Sequence, residues 1–277
     1  MLKISAIIQA RTTSSRLPNK VLLPLPYGSK TSALEQMVRR LQKCRMIDNI
    51  VIATTINDAD APIVKLCKKM HVSCFRGDEN NVLARYYFAA KADNADIVIR
   101  MTSDCPCIDP IIADKTIKLH LKYKYDYTTS GKLPVGMHVE AFSFNVLEEA
   151  FRRSTKEYER EHVTPYIYSS HPERFKIGAL RHPHYLQRPD IRVTLDTQED
   201  YALLCLIYDK LYDKNDPFSL KDIVGLFNKE PWIALINKKI IQKKFFDTLE
   251  GELQEAVKVL DAQDLKKAAS YIRKTIQ

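Results

Sequence analysis

Buried strands alternate with amphipathic helices through the first hundred residues, and this alternation constrains the fold more than any other feature of the sequence. Apolar, β-branched runs typical of strands covered on both faces lie at 4–10, 49–54, 72–75 and 97–101. Segments with apolar residues at helical spacing separate them, at 34–41, 58–70 and 81–92. Repeated β-α units build parallel sheets, so the sequence predicts an α/β fold, a Rossmann-like three-layer α/β/α sandwich with a mostly parallel sheet.

The first apolar run leads directly into a cationic, hydroxyl-rich loop. Arg11, Arg16 and Lys20 provide three positive charges, and residues 12–15 are all Thr or Ser. Such side chains bind phosphate oxygens, and open α/β sheets bind their ligands beyond the carboxyl ends of the strands. The loop therefore predicts a site for several phosphates. An ordinary solvated surface loop is the alternative interpretation.

Two carboxylates are predicted at the same edge of the sheet. Asp104 follows the strand at 97–101, and Asp196 ends the run Ile191 to Asp196, which we interpret as the last strand of the sheet. Mg²⁺ takes one or two protein carboxylates and completes its coordination with phosphate oxygens and water. We expect Asp104 and Asp196 to hold one Mg²⁺. The alternative is that Asp196 is an extra cap for the helix that follows it.

Beyond Tyr125 the predicted elements become shorter. We expect strands at 125–129, 139–144 and 175–180, helices at 145–153 and 197–210, and one or two amphipathic helices within 245–276 that pack on the core or form a dimer contact. A further segment, 158–168, carries Glu161 and His162. The imidazole is either a general base or a member of a structural hydrogen-bond network.

The chain carries a formal net charge of +9, from 43 basic and 34 acidic residues. A positive chain suits nucleic acid, an acidic membrane surface or a polyanionic small substrate. Asp and Glu are interleaved with most of the basic residues, which favours a small phosphate-bearing substrate. The pairs Lys238-Lys239 and Lys243-Lys244 keep nucleic acid open as an alternative.

The six cysteines show neither the pattern of a disulfide scaffold nor a Cys-x-x-Cys pair typical of zinc sites. No apolar segment is long enough to span a bilayer, and the N-terminus enters a strand without the features of a signal peptide. These observations predict a cytoplasmic protein with reduced cysteines.

Five motifs occur in order between Ile4 and about Asp200. The first comprises Ile7-Ile8-Gln9-Ala10-Arg11, Ser14, Arg16-Leu17-Pro18 and Lys20-Val21-Leu22. The others lie at 76–87 (Arg-Gly-Asp-Glu-Asn-Asn-Val-Leu-Ala-Arg-Tyr-Tyr), 104–106 (Asp-Cys-Pro), 159–167 (Glu-Arg-Glu-His-Val-Thr-Pro-Tyr-Ile) and 196–200 (Asp-Thr-Gln-Glu-Asp). Together they resemble the cytidylyltransferases that make CMP-activated sugar acids, such as acylneuraminate and 3-deoxy-manno-octulosonate cytidylyltransferases. Within that family the sequence most resembles the spore coat polysaccharide biosynthesis group.

The resemblance implies a fold of the nucleotide-diphospho-sugar transferase type and a nucleotidyl transfer reaction. An acceptor oxygen attacks the α-phosphorus of CTP and pyrophosphate leaves, with Mg²⁺ as cofactor and a sugar or sugar-acid-like acceptor, for cell-surface polysaccharide biosynthesis. We expect a nucleotidyltransferase domain at 1–228, containing a smaller acceptor or dimer lobe at 125–190, and a C-terminal helical extension at 229–277. The expected assembly is a homodimer without nucleic-acid or membrane partners.

The same resemblance implies roles for individual residues. Arg11, Arg16 and Lys20 are expected to be catalytic and to hold the triphosphate. The predicted nucleotide-binding residues are Gln9, Ala10, Arg11, Ser14, Arg76, Arg85 and Asp104. Glu140, Glu161 and His162 are predicted to face the acceptor. Asp104 and Asp196 are the predicted metal ligands.

Two loop positions depart from the family pattern. Thr13 and Asn19 stand where relatives carry glycine, and Thr adopts a positive φ poorly whereas Asn tolerates it better. Either hydroxyls replace bare backbone in the phosphate grip, or the triphosphate site is altered or lost. Two rival hypotheses are a nucleotide-sugar-dependent glycosyltransferase, which usually carries Asp-x-Asp after a late strand, and a non-catalytic nucleotide- or polyanion-binding relative.

Overall fold

The computed structural model describes residues 2–240 and 248–276. They fall into two compact units, one that ends at Lys239 and one that begins at Ile240. The first unit extends past the predicted boundary at residue 228, because the turn Pro231–Leu235 places Ile233, which is fully buried, in its apolar core. The predicted division into a nucleotidyltransferase domain at 1–228 and a C-terminal extension at 229–277 stays a prediction.

A seven-stranded sheet forms the centre of the first unit. Its strands are β1 (Ile4–Gln9), β2 (Asn49–Thr55), β3 (Ser73–Gly77), β4 (Ile97–Thr102), β5 (Tyr127–Thr129), β6 (Glu140–Ser143) and β7 (Ile177–Ala179). Their order across the sheet is β3-β2-β1-β4-β6-β5-β7. β6 pairs antiparallel with both of its neighbours, β4 and β5. The other four pairs of neighbouring strands are parallel. The prediction of a mostly parallel sheet is confirmed.

Helices cover both faces of the sheet in the first unit. They are α1 (Ala33–Leu41), α2 (Ala61–Met70), α3 (Val82–Ala92), α4 (Pro110–Tyr123), α5 (Phe144–Arg153), α6 (Glu157–His162), α7 (Gln198–Leu211) and α8 (Leu220–Lys229). Because successive side chains of a strand point to opposite faces, Ile8 packs with residues of α1, α2 and α4, whereas Ile7 packs with residues of α3 and α5. The predicted three-layer sandwich is confirmed.

Local signals determine where several helices begin. Ser32 caps α1 by accepting a hydrogen bond from a first-turn amide, and Asp109 does the same for α4. Thr197 and Asp200 form a reciprocal capping box at the start of α7. The second predicted helix begins with a short 3-10 turn at Asp58–Asp60, and α2 follows it directly.

The segment Ile191 to Asp196 is not a strand of the sheet, which corrects the prediction. β4 pairs with β1 on one side and with β6 on the other, so neither edge of β4 is open to another strand. The segment instead runs outside the sheet. The Val193 amide donates to the Val135 carbonyl at 2.7 Å, and the Leu195 amide donates to the Asp104 carbonyl at 2.7 Å. These bonds hold the end of the segment beside Asp104.

The region 125–190, predicted as a smaller lobe, shares the central sheet with the rest of the unit. β5, β6 and β7 all lie within it, and β6 pairs with β4 in the middle of the sheet. Residues of α5 pack in the same apolar cluster as residues of α3. The region is therefore continuous with the nucleotidyltransferase core, and its acceptor or dimer role stays a prediction.

Two helices form the described part of the second unit, α9 (Leu249–Ala262) and α10 (Lys266–Ile276). They agree with the prediction of one or two helices within 245–276. Residues 245–247 of that range lie outside the described residues. Arg273 of α10 forms an ion pair with Asp261 of α9. No helix within residues 2–240 and 248–276 has the length and apolar character needed to cross a membrane.

Candidate active site

A buried carboxylate anchors the start of the cationic loop. Asp60 is fully buried, and its Oδ1 accepts hydrogen bonds from the amide and the hydroxyl of Thr12, both at 2.7 Å. Its Oδ2 accepts a hydrogen bond from the Thr55 hydroxyl at 2.5 Å. Burial acts to raise the pKa of Asp60, but the hydrogen bonds from Thr55 and Thr12 outweigh it and hold the pKa below its usual value. The loop is therefore tied to the end of β2.

Replacing Asp60 by Asn is expected to destabilise the protein by about 2–3 kcal/mol, because the amide NH₂ group would face donors and leave one of them unpaired. Since the pKa of Asp60 is depressed, its contribution is present above the unfolded-state pKa of about 4 and is lost as the pH falls below it. Urea unfolding at neutral pH measures the change. Asp58→Asn, at an exposed neighbour, is the control, and equal midpoints for the two variants would contradict the anchoring role.

The two positions that depart from the family pattern behave differently. Asn19 has a φ of 57°, which is the left-handed conformation that glycine favours and asparagine tolerates. Thr13 has no positive φ, and its hydroxyl donates to Glu79 Oε1 at 2.5 Å. Arg11 Nη1 donates to the same oxygen at 3.2 Å. The loop thus needs left-handed backbone at Asn19 only, and a side-chain hydrogen bond holds the other substituted position.

Lys20 lies between the two predicted metal-ligand carboxylates. Its Nζ donates to Asp104 Oδ2 at 3.0 Å and to Asp196 Oδ1 at 2.8 Å. The Lys20 side chain is 12% exposed, and the side chains of Asp104 and Asp196 are 25% and 10% exposed. Desolvation acts to lower the pKa of Lys20, but the charges of Asp104 and Asp196 outweigh it and raise the pKa. Two carboxylates from distant parts of the chain therefore converge on one ammonium group.

Asp196 is surrounded by cations. Arg16 Nη2 lies 2.8 Å from Asp196 Oδ1, and Arg192 Nη2 lies 2.8 Å from Asp196 Oδ2. The fully buried Asp200 in turn accepts a hydrogen bond from Arg192 Nε at 2.9 Å. Burial acts to raise the pKa of Asp196, but Lys20 and the two arginines outweigh it and lower the pKa. Asp196 is therefore a carboxylate at neutral pH.

The carboxylate pair offers the oxygen ligands that Mg²⁺ prefers. Asp104 and Asp196 each direct an oxygen atom at the Lys20 ammonium group. Within the described ranges there is no cluster of three or more His, Cys, Asp or Glu that could hold a metal ion. Two carboxylates are enough for Mg²⁺ when phosphate oxygens and water complete the coordination. The pair therefore fits a cation that is shared with a phosphate ligand.

Three of the predicted nucleotide-binding residues lie at the junction between β1 and the loop. The Ala10 amide donates to the Ala53 carbonyl at 3.2 Å, and the Ser14 amide donates to the Thr12 carbonyl at 3.0 Å. Gln9 Oε1 is buried and has no hydrogen-bond partner among residues 2–240 and 248–276. The contact of Gln9 with a nucleotide stays a prediction.

Arg76 and Arg85, also predicted to contact the nucleotide, donate hydrogen bonds to backbone carbonyls, and their contact with a nucleotide stays a prediction. Arg76 donates to the carbonyl of Thr55 at the end of β2 and to the carbonyl of Asn57 in the turn that follows. Arg85 Nη1 donates to the carbonyls of Asp78 and Glu79, at 2.7 and 3.0 Å. Arg85 is only 2% exposed, so its side chain offers almost no surface to a ligand. Arg85 therefore braces the segment that carries Glu79, and Arg76 braces the end of β2 and the turn after it.

The three predicted acceptor residues do not form one cluster. Glu140 forms a part-buried ion pair with Arg100 on the neighbouring strand and also accepts hydrogen bonds from two hydroxyl groups. Glu161 and His162 lie at the exposed end of α6, and no hydrogen bond of the described residues joins them to Glu140. Desolvation outweighs the opposing charge of Glu161 and lowers the pKa of His162, so its imidazole is neutral at pH 7.

Four charged side chains of this region had no predicted role. Arg100 and Arg192 each interrupt an apolar run, and a charge at such a position is a usable signal because it must find a partner when it is buried. Asp60 and Glu79 had no such signal, because acidic residues are common in turns and at helix starts. Their partners, residues 12 and 13, are distant in sequence and close only in the folded chain.

A family model described as cytidylyltransferase matches residues 5–240. The chain belongs to the cytidylyltransferase family. The spore coat polysaccharide biosynthesis protein SpsF of Bacillus subtilis is 35% identical to this cytidylyltransferase over 229 residues, which are 81% of this chain and 94% of SpsF. The uncharacterised protein MJ1063 of Methanocaldococcus jannaschii is 40% identical over 249 residues, which are 90% of this chain and 100% of that protein.

A solved structure of a cytidylyltransferase from Leptospira borgpetersenii is also similar to this cytidylyltransferase. The two share 34% sequence identity and a TM-score of 0.78, over 88% of this chain and 100% of the other. The family resemblance, the fold type and the nucleotidyltransferase class predicted from the five motifs are confirmed. The cationic loop, Asp104 and Asp196 all lie within the residues that the family model matches.

Proposed function

We propose that this cytidylyltransferase transfers CMP from CTP to a sugar or sugar-acid-like acceptor, with Mg²⁺ and with release of pyrophosphate, as a cytoplasmic step of cell-surface polysaccharide biosynthesis. The observation that carries the proposal is the convergence of Asp104 and Asp196 on Lys20, in the same cluster as Arg16 of the cationic loop. The similarity to SpsF, a spore coat polysaccharide biosynthesis protein, supports the biosynthetic context. The proposed assembly is a homodimer, which light scattering tests.

In the proposed reaction an acceptor oxygen attacks the α-phosphorus of CTP. The bond from that phosphorus to the oxygen that bridges to the β-phosphate breaks, pyrophosphate leaves with the bonding electrons, and the acceptor proton passes to a base or to water. Such transfers depend mainly on positioning and on neutralising charge at phosphate oxygens. Arg11 and Arg16, with side chains 45% and 33% exposed, are accessible to a triphosphate and suited to bidentate hydrogen bonds with it.

Lys20 would change partners when the substrate binds. Its ammonium group neutralises Asp104 and Asp196, the two carboxylates proposed to hold Mg²⁺. Bound there, the ion would neutralise charge at the α-phosphate and lower the pKa of the acceptor hydroxyl. Lys20 would then donate its hydrogen bonds to phosphate oxygens, which are stronger acceptors for an ammonium group than water.

The acceptor is proposed to bind on the side of the sheet that carries Glu140. Arg100 already neutralises this carboxylate, so Glu140 is suited to accept hydrogen bonds from sugar hydroxyls with its remaining lone pairs. A neutral His162 is suited to accept the acceptor proton. Gln9 lies at the carboxyl end of β1, where open α/β sheets bind their ligands, and is proposed to contact the nucleotide.

The melting temperature of the protein is expected to rise by about 5 °C with CTP and Mg²⁺ at a hundred times the dissociation constant, because a ligand bound only by the folded state stabilises it by about 2.7 kcal/mol. UTP, GTP and ATP, each with and without Mg²⁺, are the comparisons. We expect smaller shifts with these nucleotides and with CTP in EDTA. The absence of a shift with all four nucleotides would overturn the proposed function.

A further inference from the structure

One carboxylate connects the cationic loop to a braced part of the sheet edge. Glu79 Oε1 accepts hydrogen bonds from the Thr13 hydroxyl at 2.5 Å and from Arg11 Nη1 at 3.2 Å. Glu79 Oε2 accepts a hydrogen bond from Asn57 Nδ2 at 2.5 Å. The side chain therefore uses one oxygen for the loop and the other for the turn after β2, so its orientation is defined on both sides.

The backbone of Glu79 is itself held in place. The nearly buried Arg85 donates to the carbonyls of Asp78 and Glu79, and Arg76 donates to the carbonyl of Asn57, whose side chain binds Glu79. Glu79 thus belongs to a cross-linked part of the protein. Thr13, in contrast, is exposed and lies on the loop. The hydrogen bond from Thr13 to Glu79 therefore restrains the loop against the edge of the sheet.

We propose that Glu79 is a positioning residue for the triphosphate loop: it holds Thr13 in place and keeps Arg11 oriented until a triphosphate takes over the guanidinium group. The second half of this inference rests on the proposed function. Thr13 lies within the loop between Arg11 and Arg16, and Glu79 provides the acceptor that fixes the direction of its side chain.

A difference in charge explains why Arg11 would exchange Glu79 for a triphosphate and Thr13 would not. The Arg11–Glu79 pair is partly exposed, with side chains 45% and 27% exposed, and such pairs contribute only about 0–1 kcal/mol. A triphosphate offers the guanidinium group several charged oxygens in place of one. The Thr13 hydroxyl gains less from a triphosphate, because it is a neutral donor. The hydrogen bond from Thr13 also lowers the pKa of Glu79, so the acceptor is charged at neutral pH.

Hydrogen exchange of the ligand-free protein tests the first half of the proposal without any nucleotide. We expect Glu79→Ala to increase amide exchange in the peptide 11–17 several-fold, with Thr13→Val giving a similar increase in the same peptide. Asp58→Asn, which removes one negative charge from an exposed residue nearby, is the matched control and should leave that peptide unchanged. Wild-type exchange in Glu79→Ala would overturn the proposal.

Calorimetric titration with CTP and Mg²⁺ tests the second half. Glu79→Ala and Thr13→Val are each expected to weaken CTP binding about tenfold, and the double variant should be little weaker than either, because both changes break the same hydrogen bond. Thr13→Ser keeps the hydroxyl and should recover most of the lost affinity. Additive losses, or equal affinities for Thr13→Ser and Thr13→Val, would overturn this role. If the wild type does not bind CTP, the proposed function fails, whereas the exchange result still decides whether Glu79 positions the loop.

Discussion

Replacing Asp104 or Asp196 by Asn is expected to lower CTP-dependent pyrophosphate release by about 10²- to 10³-fold, because each change removes a charge that neutralises the reacting groups. The variants should differ in stability. Asp104 contacts the Lys20 ammonium group and is 25% exposed, whereas Asp196 is 10% exposed and contacts Lys20, Arg16 and Arg192. Asp196→Asn leaves these cations without their shared partner and should cost about 3 kcal/mol of stability, whereas Asp104→Asn should cost less than half of that.

Asp190→Asn is the matched control for both variants. Asp190 pairs with Arg188 at the surface and is 59% exposed, so its loss should change neither activity nor the melting temperature appreciably. Pyrophosphate release is measured with a panel of sugars and sugar acids as acceptors. The Mg²⁺-dependent part of CTP affinity gives a second measurement that needs no acceptor. Wild-type values of both in either test variant would remove that aspartate from the proposed metal pair.

Replacing Lys20 by Gln is expected to change the response to Mg²⁺ and to CTP in opposite directions. Without nucleotide, Mg²⁺ should raise the melting temperature of the variant and leave the wild type unchanged, because the ammonium group no longer competes for Asp104 and Asp196. CTP affinity should fall at least tenfold, because a cation of the loop is lost. The ligand-free variant should be less stable by about 3 kcal/mol, since two neighbouring carboxylates lose their shared partner.

The control for Lys20→Gln is Lys30→Gln, which makes the same chemical change at an exposed lysine. It should melt at the wild-type temperature with and without Mg²⁺. Melting curves over a series of Mg²⁺ concentrations separate the two effects, because the intrinsic loss of stability is read without the ion. Equal Mg²⁺ responses in Lys20→Gln and the wild type would contradict competition between the ammonium group and the ion.

The core of the fold could be predicted because its signals are local. The runs at 4–10 and 97–101 are mainly apolar, interrupted by Ser5, Gln9 and Arg100, and the structure covers both faces of these strands. The segment at 191–196 carries a comparable pattern for another reason. Its apolar side chains Ile191, Val193 and Leu195 pack in a separate cluster with α7 and α8, so alternation indicates burial of one face and not membership of the sheet.

The site could be predicted only to the extent that its groups follow one another along the chain. The cationic loop and Asp104 were expected at the carboxyl ends of β1 and β4, and Lys20 does contact Asp104. The ion pairs that set the electrostatics could not be predicted. The contacts of Lys20 with Asp196 and of Glu140 with Arg100 join residues far apart in sequence, and they depend on side-chain directions that residue types alone do not specify.

The attachment of the segment 191–196 through main-chain bonds has a consequence for synthesis of the protein. The carbonyl of Asp104 accepts from the Leu195 amide and from the Thr194 hydroxyl, so the second carboxylate is positioned from a part of the chain made long after the first. A nascent chain that has emerged only to residue 190 already contains every strand of the sheet, the cationic loop and Asp104. At that stage only Asp104, one of the two carboxylate partners of Lys20, has been synthesised. The cation cluster can therefore be completed only after all the strands of the sheet have been synthesised.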